Sequence, residues 1–131
     1  MVNKIKKSED EWKKLLSQEK FYVLRDKGTE RPFTGKLLHN KKHGKYICGA
    51  CGNTLFSSDT KFDSGSGWPS FYDVVRKDVV ELKEYASLGM NRIEVVCSRC
   101  GSHLGHVFDD GPRPTNKRYC INSLSLDFKE E

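Results

Sequence analysis

The strongest constraint in this chain is a five-residue unit that occurs twice, as Cys48-Gly49-Ala50-Cys51-Gly52 and as Cys97-Ser98-Arg99-Cys100-Gly101. Two cysteines at this spacing turn both sulfurs toward one ion, and the glycine after them lets the backbone leave with positive φ. Two such units make a closed tetrahedral site. Zinc suits four thiolates in a tetrahedron, although iron takes the same donor set. Residues 52–96 separate Cys51 from Cys97, and loop-closure cost grows only logarithmically with length, so the gap is no obstacle. A competing reading as two redox motifs expects each to open a helix that lowers a thiol pKa, and the glycine after each pair argues against that. A four-cysteine site has no open position, so the metal is read as one structural ion and the chemistry is sought elsewhere.

The chain is 131 residues long, a length that suits one domain. Only 36% of its residues are hydrophobic, so a structural metal would help a modest core. No apolar run reaches the roughly 20 residues of a membrane span, and Met1 to Asp10 lack the hydrophobic middle of a signal peptide. A soluble, cytoplasmic protein is expected, in a reducing compartment where paired cysteines mean metal or redox chemistry rather than structural disulfides. Residues 1–45 hold 13 Lys and Arg against 6 Asp and Glu, whereas residues 46–131 hold 10 against 12. The positive excess thus lies away from the cysteines and reads as a solvated helical face. No nucleic-acid or membrane partner is expected, and with no long apolar seam left over the chain reads as a monomer.

Ser8-Glu9-Asp10-Glu11 has the form of a capping box and predicts a helix that carries Trp12, Leu15 and Leu16. Ser17 offers a second cap before Phe21 and Leu24, with Gly28 suited to end that helix. Thr29 to Gly44 reads as an irregular surface segment. Short β-type runs then recur over Lys45–Ile47, Thr54–Phe56, Val79–Tyr85, Arg92–Val96 and Tyr119–Phe128. The expected architecture is mainly β and antiparallel, with a helical region over 1–28 and a zinc-bearing β region over 29–128.

Cys120 is the one cysteine outside the two units. In a strand, Arg118, Cys120 and Asn122 share a face, continued by Leu124, Leu126 and Phe128, so that one strand would run from a polar site into the core. A neighbouring guanidinium favours the nucleophilic thiolate, while an inert buried cysteine fits the strand equally well. Upstream, His103 and His106 stand beside Asp109 and Asp110; they offer general acids near neutral pH, or else extra metal ligands or structural hydrogen bonds. Trp68 lies in a glycine-permitted loop, either as the wall of a small apolar pocket or as core.

Taken together, the two cysteine units, SGSGWPSF over 64–71, HLGHVFDDGP over 103–112 and RYCINS over 118–123 resemble the B-type peptide methionine sulfoxide reductases, which act on the R epimer at sulfur. The match runs from Thr29-Glu30-Arg31-Pro32-Phe33 to Phe128. The resemblance implies two small antiparallel sheets with short peripheral helices and a structural zinc ion on Cys48, Cys51, Cys97 and Cys100. It makes Cys120 the nucleophile, with His103, His106 and Asn122 serving the substrate oxygen, Asp110 orienting a histidine, and Arg118 near the thiolate. Trp68 would receive the substrate's terminal methyl group, with Phe108 among the supporting residues. The substrates implied are oxidised proteins or peptides, in an oxidoreductase of protein repair after oxidative stress. Many members carry a resolving cysteine where this chain has Ser66. A one-cysteine type follows, whose sulfenic acid is reduced by thioredoxin or another external thiol.

Overall fold

A computed structural model describes residues 4–87 and 90–131. The capping box at the start of the chain forms: Glu11 N–H donates to Ser8 Oγ at 3.2 Å, and Ser8 N–H donates to Glu11 Oε1 at 3.1 Å. It opens α1 (Glu9–Leu15), and Ser17 caps α2 (Gln18–Leu24) in the same manner through Lys20 N–H. Each helix has only 7 residues, too few to persist in water on its own. Both depend on burying Trp12, Phe21, Val23 and Leu24. Leu15 does not join them and faces solvent. Gly28 does not end α2 by a left-handed turn, a conformation that Lys27 takes instead at φ 58°. A Cβ at 28 would lie 2.2 Å from the ring of Tyr22, an exposed side chain that would have to swing away.

Residues 29–43 contain no helix or strand. Among the described residues nine strands follow, β1 (Gly44–Cys48), β2 (Thr54–Ser57), β3 (Lys61–Phe62), β4 (Ser70–Phe71), β5 (Val80–Ser87), β6 (Met90–Cys97), β7 (His103–Phe108), β8 (Arg118–Ile121) and β9 (Leu126–Glu130). They make two antiparallel sheets, one in the order β2-β1-β9 and one in the order β3-β4-β8-β7-β6-β5. The protein is therefore mainly β with two short helices, as the sequence predicts. Among the described residues no helix is long and apolar enough to cross a membrane.

An aromatic layer joins the sheets. Phe56 of β2 stacks on Phe71 of β4 with centroids 4.3 Å apart and planes 13° from parallel. Tyr46 of β1 meets Phe71 edge-on at 5.0 Å, and Tyr119 of β8 meets Phe56 at 5.8 Å. The predicted strand over Tyr119–Phe128 is two strands. After β8 the chain makes a 3-10 turn over Ser123–Ser125 and crosses to the other sheet as β9, which pairs with β1. Leu126 and Phe128 thus do not continue the face of Arg118 and Cys120, because they belong to the opposite layer. Glu30 holds the crossover, its Oε1 accepting from Leu124 N–H at 2.8 Å.

Phe71 touches both Tyr46 and Phe56 and is fully buried. Phe71→Ala should cost about 3–5 kcal/mol of stability, read as a lower urea midpoint with an unchanged slope.

Candidate active site and metal centre

β8 lies between β4 and β7 in the larger sheet. Its residues alternate between half-buried and buried, with Tyr119 and Ile121 in the core. Strand geometry then turns Arg118 and Cys120 to the opposite face. Cys120 pairs with Ser70 on one side and His106 on the other. Asn122, the next residue on that face, stays with them at the edge of the turn.

His103 and His106 are three residues apart and would point to opposite faces of a regular strand. A bulge changes this. Val95 pairs with Gly105, but Val96 pairs with His103, so Leu104 is an extra residue. Both histidines therefore face the Cys120 side, with ring centroids 5.5 Å apart. Gly105 lies where the strands are closest: a Cβ there would fall 2.0 Å from the Cys120 carbonyl oxygen.

A cavity of about 740 Å³ opens at this face. Ser66, Trp68 and Phe108 line it together with His106, Arg118, Cys120 and Asn122. Thr29, Arg92 and Gly105, which sequence reasoning did not single out, complete the wall. His103 is not part of the lining. It is buried behind His106, with Nδ1 at 2.6 Å from Glu94 Oε2. Asp110 is exposed, and its described partner is Arg118 rather than a histidine: its carboxylate accepts from Arg118 Nε at 2.8 Å and Nη2 at 3.2 Å. The histidine's carboxylate is Glu94, a buried charge in the otherwise apolar run of Ile93, Val95 and Val96. That isolated charge was the available signal. It becomes specific only through the β6–β7 register.

Each side of the cavity is tied to Glu30. Its backbone N–H donates to Asn122 Oδ1 at 3.1 Å, and its carbonyl accepts from Trp68 Nε1 at 3.0 Å. Asn122 Nδ2 donates to Leu104 O at 3.2 Å, which leaves one amide hydrogen for a ligand. Arg118 stacks on Phe108 with its guanidinium carbon 4.3 Å from the ring centroid. Ser66 Oγ lies 3.7 Å from Cys120 Sγ.

Burial pushes the Cys120 thiol above its ordinary range, against the Ser66 hydroxyl and the Arg118 guanidinium, which pull it down. The guanidinium does favour the thiolate, as expected from the sequence, but desolvation of the anion outweighs it in the free protein. Burial, then the neighbouring His103 and Arg92, lowers His106, so at neutral pH it is an uncharged imidazole. The Arg118 pair holds the Asp110 carboxyl below the usual range.

The two cysteine units converge at the far end of the sheets. Cys48, Cys51, Cys97 and Cys100 bring four sulfurs within 4.8 Å of one another. Cys48 and Cys100 are 3.7 Å apart, and Cys51 and Cys97 3.6 Å. A tetrahedron with metal–sulfur bonds of about 2.3 Å has edges of about 3.8 Å, so the donor set fits such an ion. Gly52 and Gly101 take the left-handed turns expected of them, at φ 80° and 76°. The ligands come from different sheets, since Cys48 ends β1 and Cys97 ends β6. Ser102 Oγ stands 3.1 Å from Cys100 Sγ, and Arg25 Nη1 donates to that hydroxyl, which ties α2 to the cluster.

Comparison with known proteins agrees with these features. The family model described as the SelR domain matches residues 16–130. A relative from Methanosarcina barkeri, named peptide methionine sulfoxide reductase MsrB, is 70% identical over 97% of this chain and 89% of its own length. One of the same name from Leptospira interrogans is 58% identical over the whole of both chains. Methionine-R-sulfoxide reductase B3, mitochondrial, from Mus musculus is 54% identical over 92% of this chain and 48% of its own length. With a family model matched over most of its length and relatives this similar, the chain belongs to the SelR-domain family, which is the MsrB family of these relatives.

Proposed function

We propose that this protein is a peptide methionine-R-sulfoxide reductase, an oxidoreductase that uses Cys120 as nucleophile and an external thiol as reductant. The observation that carries the reading is the single cavity in which Cys120, Trp68, His106, Asn122 and Arg118 meet. Cys120 attacks the sulfoxide sulfur as a thiolate while the oxygen takes up one proton; that hydroxyl then passes to the Cys120 sulfur as the new sulfur–sulfur bond breaks, giving methionine and a sulfenic acid on Cys120. His106, an uncharged imidazole, and the remaining Asn122 amide hydrogen serve the oxygen, and Glu94 orients His103 behind His106. Arg118, braced by Asp110 and Phe108, supports the anion on sulfur. Trp68, its ring fixed by the bond to Glu30, meets the substrate's methyl group. An apolar methyl site opposite an oxygen site selects one epimer, because the other would leave the polar groups unpaired.

No second thiol stands beside Cys120 among the described residues of the cavity: its neighbour is the Ser66 hydroxyl. One external thiol therefore condenses with the sulfenic acid, releasing water, and a second frees Cys120 while the two reductant sulfurs form a disulfide. Thioredoxin or a small thiol fills this role. The four-cysteine cluster holds one structural zinc ion, chosen by its soft tetrahedral donor set. In this reading the chain is one domain, a cytoplasmic monomer that repairs oxidised proteins, with residues 29–128 carrying the chemistry.

With dithiothreitol, the purified protein should reduce the R epimer of peptidyl methionine sulfoxide and leave the S epimer, and Cys120→Ala should lose at least about a thousandfold in rate. Equal use of both epimers, or turnover kept in Cys120→Ala, would overturn the assignment. After one turnover without reductant, intact mass should show one added oxygen; a loss of two hydrogens, the mark of an internal disulfide, would contradict external resolution. Elemental analysis should give one zinc per chain, and its removal by a strong chelator should lower Tm by at least about 10 °C.

A further inference from the structure

Ser66 does more than leave a resolving thiol out. Gly65 and Gly67 take left-handed backbone at φ 74° and 95°, which curls the loop and turns Ser64 and Ser66 inward. The loop's own N–H groups fix these hydroxyls: Ser66 N–H donates to Ser64 Oγ at 3.3 Å and Trp68 N–H to Ser66 Oγ at 3.5 Å. Their hydrogens remain free to turn. Ser64 Oγ lies 2.8 Å from Ser66 Oγ and 2.7 Å from Ser70 Oγ, and Ser66 Oγ lies 3.7 Å from Cys120 Sγ. Ser70 is buried directly opposite Cys120 in the β4–β8 register and donates to the Trp68 carbonyl at 3.1 Å.

We propose that Ser66 is a catalytic residue, the donor at the end of a three-serine relay that holds the hydrogen of Cys120's partner in either direction as the sulfur changes between thiol and thiolate. The proposal rests on Cys120 being the reacting sulfur. Each hydroxyl has one hydrogen to give. With Cys120 protonated, every hydrogen runs one way: the thiol to Ser66, Ser66 to Ser64, Ser64 to Ser70, and Ser70 to the Trp68 carbonyl. That carbonyl only accepts, so it anchors the direction. With Cys120 ionised, Ser66 turns to donate to sulfur and Ser64 turns to Ser66. Ser70 then keeps either the Trp68 carbonyl or Ser64, so one neutral bond is given up. A charge-assisted bond to the thiolate is gained, and such bonds are roughly twice as strong as neutral ones. Ser66 therefore favours ionisation, whereas Ser70, which completes the thiol-state chain, opposes it.

The other charged and titratable groups facing Cys120 are Arg118 on its own strand, His106 on β7, Arg92 on β6 and Glu30 from the segment before β1. None is altered by a change at 66 or 70. The relay therefore predicts shifts of opposite sign from two neighbouring serines, which a general loosening of the loop would not produce.

The test is the pH dependence of iodoacetamide alkylation at Cys120, followed by peptide mass in the full-length, metal-loaded protein. Ser66→Ala should move the midpoint up by about one pH unit, and Ser70→Ala should move it down by about half a unit. Ser66→Thr, which keeps the hydroxyl, should hold the midpoint of the unaltered protein. A Ser66→Ala midpoint that is unchanged or lower, a Ser70→Ala midpoint that is unchanged or higher, or a Ser66→Thr shift as large as that of Ser66→Ala overturns the relay. The assay contains no sulfoxide, so an active reductase with unshifted midpoints refutes the relay and leaves the proposed function standing.

Discussion

Burial of Tyr119 and Ile121 between the two sheets decides where the polar face lies. Neighbouring residues of a strand point to opposite sides, so anchoring these two in the core turns Arg118 and Cys120 outward without any further choice. Phe56 stacks on Phe71 with Tyr119 against it, all three buried, and this contact helps to hold β8 in register. A one-residue slip of β8 would place Cys120 among aromatic rings and Tyr119 in the cavity. The reactive face is in this sense the reverse side of the core.

Where local rules decide the conformation, the sequence is explicit. Ser8 and Ser17 cap helices because a serine hydroxyl three residues before an orphan N–H has few better partners. The glycines after each cysteine pair take left-handed turns for a similarly local reason. The alternation over 118–121 is equally plain. The crossing between sheets at Ser123–Ser125 is not. A run of β-type residues from Tyr119 to Phe128 has the same local preference whether it stays in one sheet or changes sheets, and it changes because a buried Glu30 carboxylate captures the Leu124 N–H from 94 positions away. The bulge at Leu104 is hidden in the same way. It exists only as a mismatch between two paired strands, so neither the shared face of His103 and His106 nor the bond of His103 to Glu94 is legible before β6 and β7 are aligned.

The electrostatics of the cavity are a balance rather than a single strong effect. Desolvation keeps the resting sulfur neutral, and the groups that favour its anion act against that tendency. A thiol kept mostly protonated is less exposed to adventitious oxidation, since susceptibility follows thiolate character. Arg118 contributes less than its charge suggests, because Asp110 neutralises it from the solvent side while Phe108 fixes its plane.

The order of these parts along the chain has a consequence for how they are assembled. All four sulfurs of the cluster precede Cys120, the last of them at residue 100. During synthesis at roughly 5–20 residues per second, Cys100 is made about one to four seconds before Cys120. The complete ligand set is thus present in the chain before the fifth thiol is made. Strand β8 then enters a gap between β4 and β7, both earlier in the chain, and β9 closes the smaller sheet against β1. Cys120 is thus the last sulfur to be made, and β8 holds it in the cavity among Trp68, His106 and Arg118, apart from the four-cysteine cluster.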